Sequence, residues 1–238
     1  MKFYDLIVQS NHSGGESSIK EIVEFAAKLG FSGIVICDNF ESMEKLKAIK
    51  QEIASAKGGI EIYQGVKVKA NTPEEMREIV NRVRDHVDIV AVHGGDYNMN
   101  RSACENSKVD ILAHPELERY DSGLDDVCLK LAAENSVAIG IDFKNILYSY
   151  RGIRGRILGS VGRNIELCME MKNKIVITSG AASIWDMRAP RELVAILTVL
   201  GMDLSQAFLS VSGMPQAILE ENKKILEGKI LTKGVEVV

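Results

Sequence analysis

The sequence predicts an irregular α/β barrel of about seven parallel strands with surrounding helices. Short apolar runs alternate with stretches whose apolar residues recur at helical spacing, almost to the end of the chain. Most of these runs end in polar or glycine residues, as strands do at the edge of a parallel sheet where enzymes place their chemistry. The 238 residues are close to the ~250 of a typical single barrel. We therefore expect one domain over residues 1–238, with an open doubly wound sheet as the alternative.

The first strand is predicted over residues 3–10, an apolar run that leads into the polar, glycine-rich segment 11–15. A helix should follow, because Ser17 and Ser18 can cap its start and Gly30 can end it. Right-handed crossovers of this kind bring successive parallel strands together and can close them into a barrel.

Strands two and three are predicted over residues 33–37 and 60–68. Between them, residues 42–56 carry apolar side chains on one side of a helix. Thr72 and Pro73 then begin a further helix, since threonine is a good cap and proline is tolerated at the first helical position.

The later elements continue this alternation. Strands four to seven are predicted over residues 88–95, 109–115, 137–143 and 174–180. Residues 97–107 form a polar segment, and a glycine- and arginine-rich loop follows strand six and precedes a helix that ends near Met171. Further helices are predicted over residues 124–135, 190–200, 204–211 and 215–226. The tail, residues 229–238, could add an edge segment, but no convincing eighth strand is present.

The composition limits the classes of function. The net charge of −4 argues against nucleic-acid binding by the whole surface, so any basic region must be local. The four widely spaced cysteines predict buried free thiols in a cytoplasmic protein. No apolar stretch approaches the ~20 residues of a membrane span, and the N-terminus does not have the pattern of a signal peptide. We expect no membrane partner.

In a barrel, the residues at the carboxyl ends of the strands meet at one face. Here they are Gln9, Asn11, Asp38, Asn39, Lys67, Lys69, His93, His114, Asp142, Lys144 and Ser179. This pattern resembles the active site of the polymerase-and-histidinol-phosphatase (PHP) phosphoesterases, whose first strand carries two metal-binding histidines. Ile7 and Gln9 stand at those two positions, and a glutamine amide is a weak ligand beside imidazole. Asn39 and the segment 180–182 also replace ligands of that family, so we expect a PHP-type, TIM-like barrel without bound metal and without catalytic residues of its own.

A local basic segment is the other chemical signal. Residues 143–165 contain five basic side chains and no acidic one, with Phe143, Tyr148 and Tyr150 among them. Guanidinium groups bind phosphates through two contacts, and aromatic rings stack on unpaired bases. The alternative is a solvated arginine loop. Arg188 and Arg191, in the region after strand seven, should lie near this segment because strands six and seven are neighbours.

Six short motifs in order resemble the thirty-kilodalton-type protein subunits of ribonuclease P, called protein component 3 in archaea. They are residues 3–6, 30–34, 90–95, 111–115, 139–143 and 177–181, the last followed by the Arg-Ala-Pro-Arg stretch 188–191. The resemblance covers nearly the whole chain, and each motif gains its weight from the order and spacing of the set. That family is described as a PHP-like barrel that has lost its metal site.

The resemblance implies a subunit of a ribonucleoprotein that removes the 5′ leader from precursor tRNA. The RNA subunit would carry the chemistry with bound Mg²⁺, and this chain would bind no cofactor. It would pair with a small ferredoxin-like protein, act beside other ribonuclease P proteins, and stabilise the catalytic RNA. The residues expected to bind RNA are Lys144, Arg151, Arg154, Arg156, Arg163, Arg188 and Arg191, with Arg101, His93 and His114 from the loops after strands four and five. The alternatives are a metal-dependent phosphoesterase of the PHP type and a barrel enzyme that uses Lys144 or the two histidines on a small metabolite.

Overall fold

The computed structural model describes residues 1–56, 58–232 and 235–236 of the chain. Seven parallel strands form one sheet in which each strand pairs with the next along the chain. They are β1 (Tyr4–Val8), β2 (Gly33–Asn39), β3 (Glu61–Val68), β4 (Ile89–His93), β5 (Ile111–Ala113), β6 (Ala138–Asp142) and β7 (Ile175–Thr178). The sheet curls until β1 lies beside β7, so the predicted α/β barrel is confirmed and the open doubly wound sheet is excluded.

Helices surround the sheet. They are α1 (Ile19–Leu29), α2 (Met43–Ser55), α3 (Pro73–Val83), α4 (Tyr97–Cys104), α5 (Asp126–Glu134), α6 (Phe143–Tyr148), α7 (Arg151–Glu170), α8 (Pro190–Val199), α9 (Leu204–Leu209) and α10 (Gly213–Leu226). Short 3₁₀ turns occupy Arg84–His86 and Ile184–Asp186. No helix in residues 1–56, 58–232 and 235–236 is both long enough and apolar enough to cross a membrane.

The predicted helix caps are confirmed in the first half of the barrel. The Ser18 side chain accepts a hydrogen bond from the backbone of Glu21, whose carboxylate accepts one from the Ser18 backbone in return. Gly30 ends α1 with φ of 89°, in the left-handed region that glycine adopts without strain. Thr72 caps α3, with Pro73 in its first turn. These local signals determine where α1 begins and ends and where α3 begins.

The polar segment after β4 contains helix α4, which was not predicted from the sequence. The Asp96 side chain caps this helix by accepting from the Met99 backbone. Its Asn100 side chain is fully buried, donating to the carbonyl oxygens of Pro115 and Gly123 and accepting from the Gly95 backbone. The buried Asn100 amide therefore supplies hydrogen bonds to backbone groups of the neighbouring loops.

The predicted glycine- and arginine-rich loop is also wrong, because α6 and α7 occupy it. Its four glycines are three or four residues apart, so they share one side of α7. Apart from chain neighbours and the backbone of α7 itself, no atom of the described residues lies within 4 Å of the Cβ that Gly152, Gly155 or Gly159 would carry. This half of α7 is therefore exposed, while its later residues Val161, Ile165 and Cys168 are buried in the core.

The tail does not extend the barrel sheet. β8 (Ile230–Thr232) pairs antiparallel with β9 (Val235–Glu236) in a separate two-stranded sheet. The tail residues 233–234 and 237–238 lie outside the described residues. The expected edge segment is therefore wrong, and the seven-stranded count is confirmed.

Side chains, rather than a strand ladder, join β1 to β7. The Asp5 carboxylate accepts hydrogen bonds from the Ser179 backbone and from the Thr178 hydroxyl, and the Ile7 N–H donates to Thr178 Oγ1 at 3.0 Å. Beyond them, the Gln9 N–H donates to the Ala181 carbonyl at 2.8 Å. The barrel is thus nearly closed.

The barrel interior is filled by a separate cluster of apolar side chains. It contains strand side chains such as Leu6, Val35 and Ile89, and Ile218 and Leu219 from α10 pack into it. The carboxyl ends of the strands lead instead into polar residues. All four cysteines are buried free thiols, as predicted.

Candidate nucleic-acid interface

The strand-end residues converge at a small cavity, which we call the barrel mouth. It has a volume of about 200 Å³ and is lined by Gln9, Asn39, Lys67, Lys69, His93, His114, Leu117, Asp142, Lys144, Asn145 and Gly180. Eight of the eleven strand-end residues identified from the sequence are among them. Of the other three, Asp38 accepts hydrogen bonds from Ser10 and Ser13, and the Ser179 backbone donates to Asp5.

Asp142 is the central acidic group of the barrel mouth. Its Oδ2 atom lies 3.5 Å from Lys67 Nζ and 3.7 Å from His114 Nε2, and all three side chains are almost fully buried. Burial raises the pKa of the Asp142 carboxyl, and the Lys67 ammonium opposes that rise. The carboxyl group therefore depends on Lys67 for its charge balance.

The two histidines are internal residues of the mouth. Their rings meet edge to face with centroids 4.4 Å apart, and His114 is only 1% exposed. Burial, followed by the charges of Lys67 and Lys69, lowers the pKa of His93 to about 4. Burial and Lys67 also lower the pKa of His114. Both imidazoles are therefore neutral near pH 7, and His114 lies beneath the surface.

The residues present do not fit the metal centre of the PHP phosphoesterases. Ile7 is buried in the apolar interior, and Gly180 lines the mouth without a side chain. Within residues 1–56, 58–232 and 235–236, no group of three or more His, Cys, Asp and Glu is arranged to hold a metal ion. A site that binds several divalent ions needs many more nitrogen and oxygen ligands than His93, His114 and Asp142 supply.

The barrel mouth is small for the substrate pocket of a metabolite enzyme. The cavity of about 200 Å³ is smaller than the roughly 300–1,000 Å³ of typical ligand pockets. Lys144 is half-buried, with its Nζ atom 5.8 Å from the centre of the Tyr148 ring. Nucleophilic lysines are typically held in apolar pockets, whereas the cavity beside Lys144 is lined mainly by polar residues.

Glu116, in the turn after β5, provides a prediction of pH dependence. It is 4% exposed, and burial, with a smaller effect of Asp142, raises its pKa to about 8. The folded state therefore holds this proton more tightly than the unfolded state. The resulting stability is complete below about pH 4.5 and is lost as the pH rises toward 8. In Glu116→Gln, we expect the free energy of unfolding at pH 8 to rise by about 4 kcal/mol relative to wild type, with little change near pH 4.5.

Urea unfolding at both pH values measures this effect. Glu118→Gln, an exposed change two residues along the same turn, is the matched control. Equal unfolding free energies for wild type and Glu116→Gln at pH 8 would contradict the assignment of a proton to Glu116.

Arginine and tyrosine side chains line the exposed half of α7 and its approach. The Arg151 guanidinium lies 5.0 Å from the centre of the Tyr150 ring, and that of Arg156 lies 4.9 Å from the Tyr120 ring. Tyr120 is 92% exposed. Each pair therefore presents a cation and an aromatic face together to the solvent, which suits contact with a phosphate and a neighbouring base.

The region after β7 joins this surface, as predicted from the order of the strands. The Arg188 guanidinium lies 5.5 Å from the centre of the Phe143 ring, and the Tyr148 hydroxyl donates to the Asp186 carboxylate at 2.8 Å. Trp185 is 76% exposed in the same turn. We name the set Arg151, Arg156, Arg188, Tyr120, Tyr148, Tyr150 and Trp185 the basic-aromatic surface.

Not every predicted RNA-binding arginine is free for a ligand. Arg154 donates to the carbonyl oxygens of Ser149 and Leu147, and therefore holds the connection between α6 and α7. Arg163 pairs with Glu166. Arg188 donates to the Trp185 and Met187 carbonyls through one nitrogen. Arg191, in the first turn of α8, is exposed and has no ion pair with any residue that the structure describes.

Arg101 differs from its predicted setting, because it lies on α4 and not in a loop. It is exposed there. Two further members of the surface, Tyr120 and Trp185, were missed from the sequence. Trp185 is the only tryptophan of the chain, and its place just after an apolar strand, beside Arg188, was the available signal. No such sequence signal identified Tyr120, since its partner Arg156 is distant in sequence.

Comparison with known proteins relates this geometry to a family. The family model described as RNase P subunit p30 matches residues 2–225. The ribonuclease P protein component 3 of Methanosarcina acetivorans is 34% identical over 236 residues, covering 99% of this chain and 95% of that protein. The protein of the same name from Methanothermobacter thermautotrophicus is 32% identical over 224 residues, covering 93% and 90%.

Solved structures agree on the fold. A chain in the cryo-EM structure of archaeal ribonuclease P with mature tRNA has a TM-score of 0.79 and 27% identity, covering 99% of this chain and 97% of that one. The histidinol phosphate phosphatase of Lactococcus lactis has a TM-score of 0.56 at 11% identity, covering 93% and 94%. The second likeness concerns the barrel alone.

Proposed function

Because the chain belongs to the RNase P subunit p30 family, we propose that it binds the RNA of ribonuclease P and stabilises it for removal of the 5′ leader from precursor tRNA. The basic-aromatic surface carries the proposal. It sets exposed guanidinium groups against exposed rings in a chain whose net charge is −4. Charge of this local kind attracts phosphates without making the whole protein basic.

In this proposal the protein acts by electrostatics and packing. Arg151, Arg156 and Arg191 neutralise phosphates, and Tyr120, Tyr150 and Trp185 stack on unpaired bases. Lys144, Arg188 and Arg101 add positive charge at the edges. The Mg²⁺ ions that serve the cleavage reaction are held by the RNA subunit, so the chain itself needs no catalytic residue and no cofactor. Binding of this type weakens strongly with salt, because each phosphate contact releases counterions.

The proposal includes protein partners and a location. A small ferredoxin-like subunit pairs with this chain, and other ribonuclease P proteins and precursor tRNA complete the assembly. Residues 1–238 act as one domain in the cytoplasm, where the four buried thiols would stay reduced.

The decisive experiment is cleavage of precursor tRNA by the reconstituted ribonucleoprotein at limiting Mg²⁺. The test variant is Arg151→Gln/Arg156→Gln, since each guanidinium group lies over an aromatic ring and forms no ion pair within the part of the chain that the structure describes. Arg154 is unsuitable, because its loss would also release the end of α6. We expect the variant to lose about tenfold or more in RNA affinity, with a salt-dependence slope smaller by about two. Cleavage at limiting Mg²⁺ should fall with it.

The matched control is Arg77→Gln/Arg82→Gln, which removes the same charge from exposed positions of α3. α3 connects β3 to β4, whereas α7 connects β6 to β7 on another side of the barrel. An equal loss in both double variants would exclude the basic-aromatic surface as the RNA contact. No stimulation of cleavage by the wild-type chain would refute the ribonuclease P role itself.

A further inference from the structure

The barrel mouth has an excess of positive groups, of which only Lys144 belongs to the proposed RNA-binding set. Lys67, Lys69 and Lys144 all line it, and Asp142 is the one carboxyl group among its lining residues. That carboxyl lies 3.5 Å from Lys67. Lys69 and Lys144 have no ion pair within the part of the chain that the structure describes, although both line the same cavity.

Nearby acidic groups do not offset these lysines. Asp38 accepts three hydrogen bonds from Ser10 and Ser13 and lies outside the lining. Glu116 is buried and is not part of the lining, and its pKa of about 8 leaves most of this carboxyl protonated near neutral pH. The imidazoles of His93 and His114 are kept neutral by burial and by the lysine charges. The mouth is therefore a positive recess.

The remaining groups are suited to hydrogen bonding with an anion. The Asn145 amide nitrogen is buried and has no hydrogen-bond partner among the described residues. Gln9 and Asn39 also line the cavity with amide groups. Gly180 leaves room at the end of β7, with φ of 61° in the left-handed region. Amide donors beside two unpaired ammonium groups are a common setting for phosphate, which Lys binds as a point charge.

We propose that the barrel mouth of the metal-free protein binds a phosphate group through Lys69, Lys144 and the Asn145 amide. The cavity of about 200 Å³ accommodates the five heavy atoms of a phosphate but not a whole nucleotide, since typical ligand pockets begin at roughly 300 Å³. The group is either free inorganic phosphate or the terminal phosphate of an RNA that approaches from the basic-aromatic surface, which Lys144 adjoins through Tyr148. The site belongs to the isolated chain and does not depend on the ribonuclease P role.

The test is calorimetric titration of the isolated full chain with inorganic phosphate, at ionic strength held constant with chloride. We expect saturable binding to wild type, weakened by about tenfold or more in Lys69→Gln/Lys144→Gln, because each lost ammonium removes a charge-assisted hydrogen bond. Both lysines have exposed or half-exposed side chains, so the variant should fold, which its thermal unfolding will verify. Lys130→Gln/Lys224→Gln, exposed on α5 and α10, is the matched control.

A competition experiment distinguishes free inorganic phosphate from the terminal phosphate of an RNA as the ligand. A short 5′-phosphorylated oligoribonucleotide that displaces phosphate, when its 5′-hydroxyl counterpart does not, identifies an RNA end as the ligand. Failure of both to displace phosphate identifies the free anion. No saturable binding at millimolar phosphate, or equal weakening in the two double variants, would overturn the site. Because no catalytic RNA is present, either negative result leaves the cleavage experiment unaffected.

Discussion

Replacing Arg84 with methionine is expected to lower the free energy of unfolding by about 3–5 kcal/mol, because it removes one partner of a buried ion pair. Arg84 is 6% exposed, and its guanidinium lies 2.5 Å from the fully buried Asp110 carboxylate at the start of β5. It also donates to the carbonyl oxygens of Val87 and Asp88 before β4. One side chain thus ties the end of α3 to two neighbouring strands.

Two further variants separate charge from packing. Arg82→Met, at an exposed position two residues earlier on the same helix, should change the unfolding free energy by less than about 0.5 kcal/mol. Arg84→Met/Asp110→Asn should recover a large part of the loss, since asparagine removes the charge and keeps an oxygen to accept from the Val90 backbone. Urea unfolding monitored by circular dichroism measures all three. A loss below 1 kcal/mol in Arg84→Met would show that this ion pair contributes little.

Much of the fold could be predicted from the sequence because its signals are local. Ser18, Gly30 and Thr72 act on backbone groups within four residues, and the apolar strands identify themselves by composition. The strand order then brings distant residues together without further information. This is why His93, His114, Asp142 and Lys144 were correctly expected at one face.

The errors have a common physical cause, which is tertiary contact that overrides local propensity. Each glycine weakens an isolated helix by about 1 kcal/mol, so residues 151–162 do not look helical from sequence. α7 forms nevertheless, because Val161 and Ile165 are buried in the core and Arg154 satisfies the carbonyl oxygens at the end of α6. In α4, Asn100 is buried for its hydrogen bonds to loops distant in sequence. Neither contact leaves a local pattern.

The candidate site shows the same contrast between features visible in the sequence and features that depend on tertiary contacts. Arg151, Arg156 and Arg188 were found because charge is visible in the sequence. Their individual availability was not, since the partners of Arg154 and Arg163 are known only from the folded chain. The buried state of His114 likewise changes its interpretation from an RNA contact to a neutral internal residue. The sequence therefore identified the region, and the structure selects the side chains to test.

Thr178→Val is expected to destabilise the protein by about 3 kcal/mol, because it removes the hydroxyl that joins the two ends of the sheet. Thr178 Oγ1 accepts from the Ile7 N–H at 3.0 Å and from the Gly180 N–H at 3.2 Å, and it donates to Asp5. All of these groups are buried. Valine has nearly the same shape, so the loss measures unsatisfied polar groups and not a cavity.

The loss of unfolding free energy in Thr178→Val should also depend on pH. Burial raises the pKa of Asp5 to about 6, and the hydrogen bonds from Ser179 and Thr178 oppose that rise. Without the Thr178 hydroxyl the ionised carboxyl is held less well, so the destabilisation should be larger at pH 8, where Asp5 is ionised, than at pH 5, where it is protonated. Urea unfolding of both proteins at the two pH values measures the difference.

Thr178→Ser is the matched control, because it keeps Oγ1 and deletes one methyl group. Its expected cost is about 1 kcal/mol, independent of pH. If the valine and serine variants lose the same free energy at pH 8, the hydroxyl does not close the barrel. If the valine variant loses much more than the serine variant, the two end strands of the sheet are joined by one side-chain network. Since that network also positions Gly180 beside Asp142, the valine variant should lose phosphate binding at the barrel mouth, whereas the serine variant should retain it.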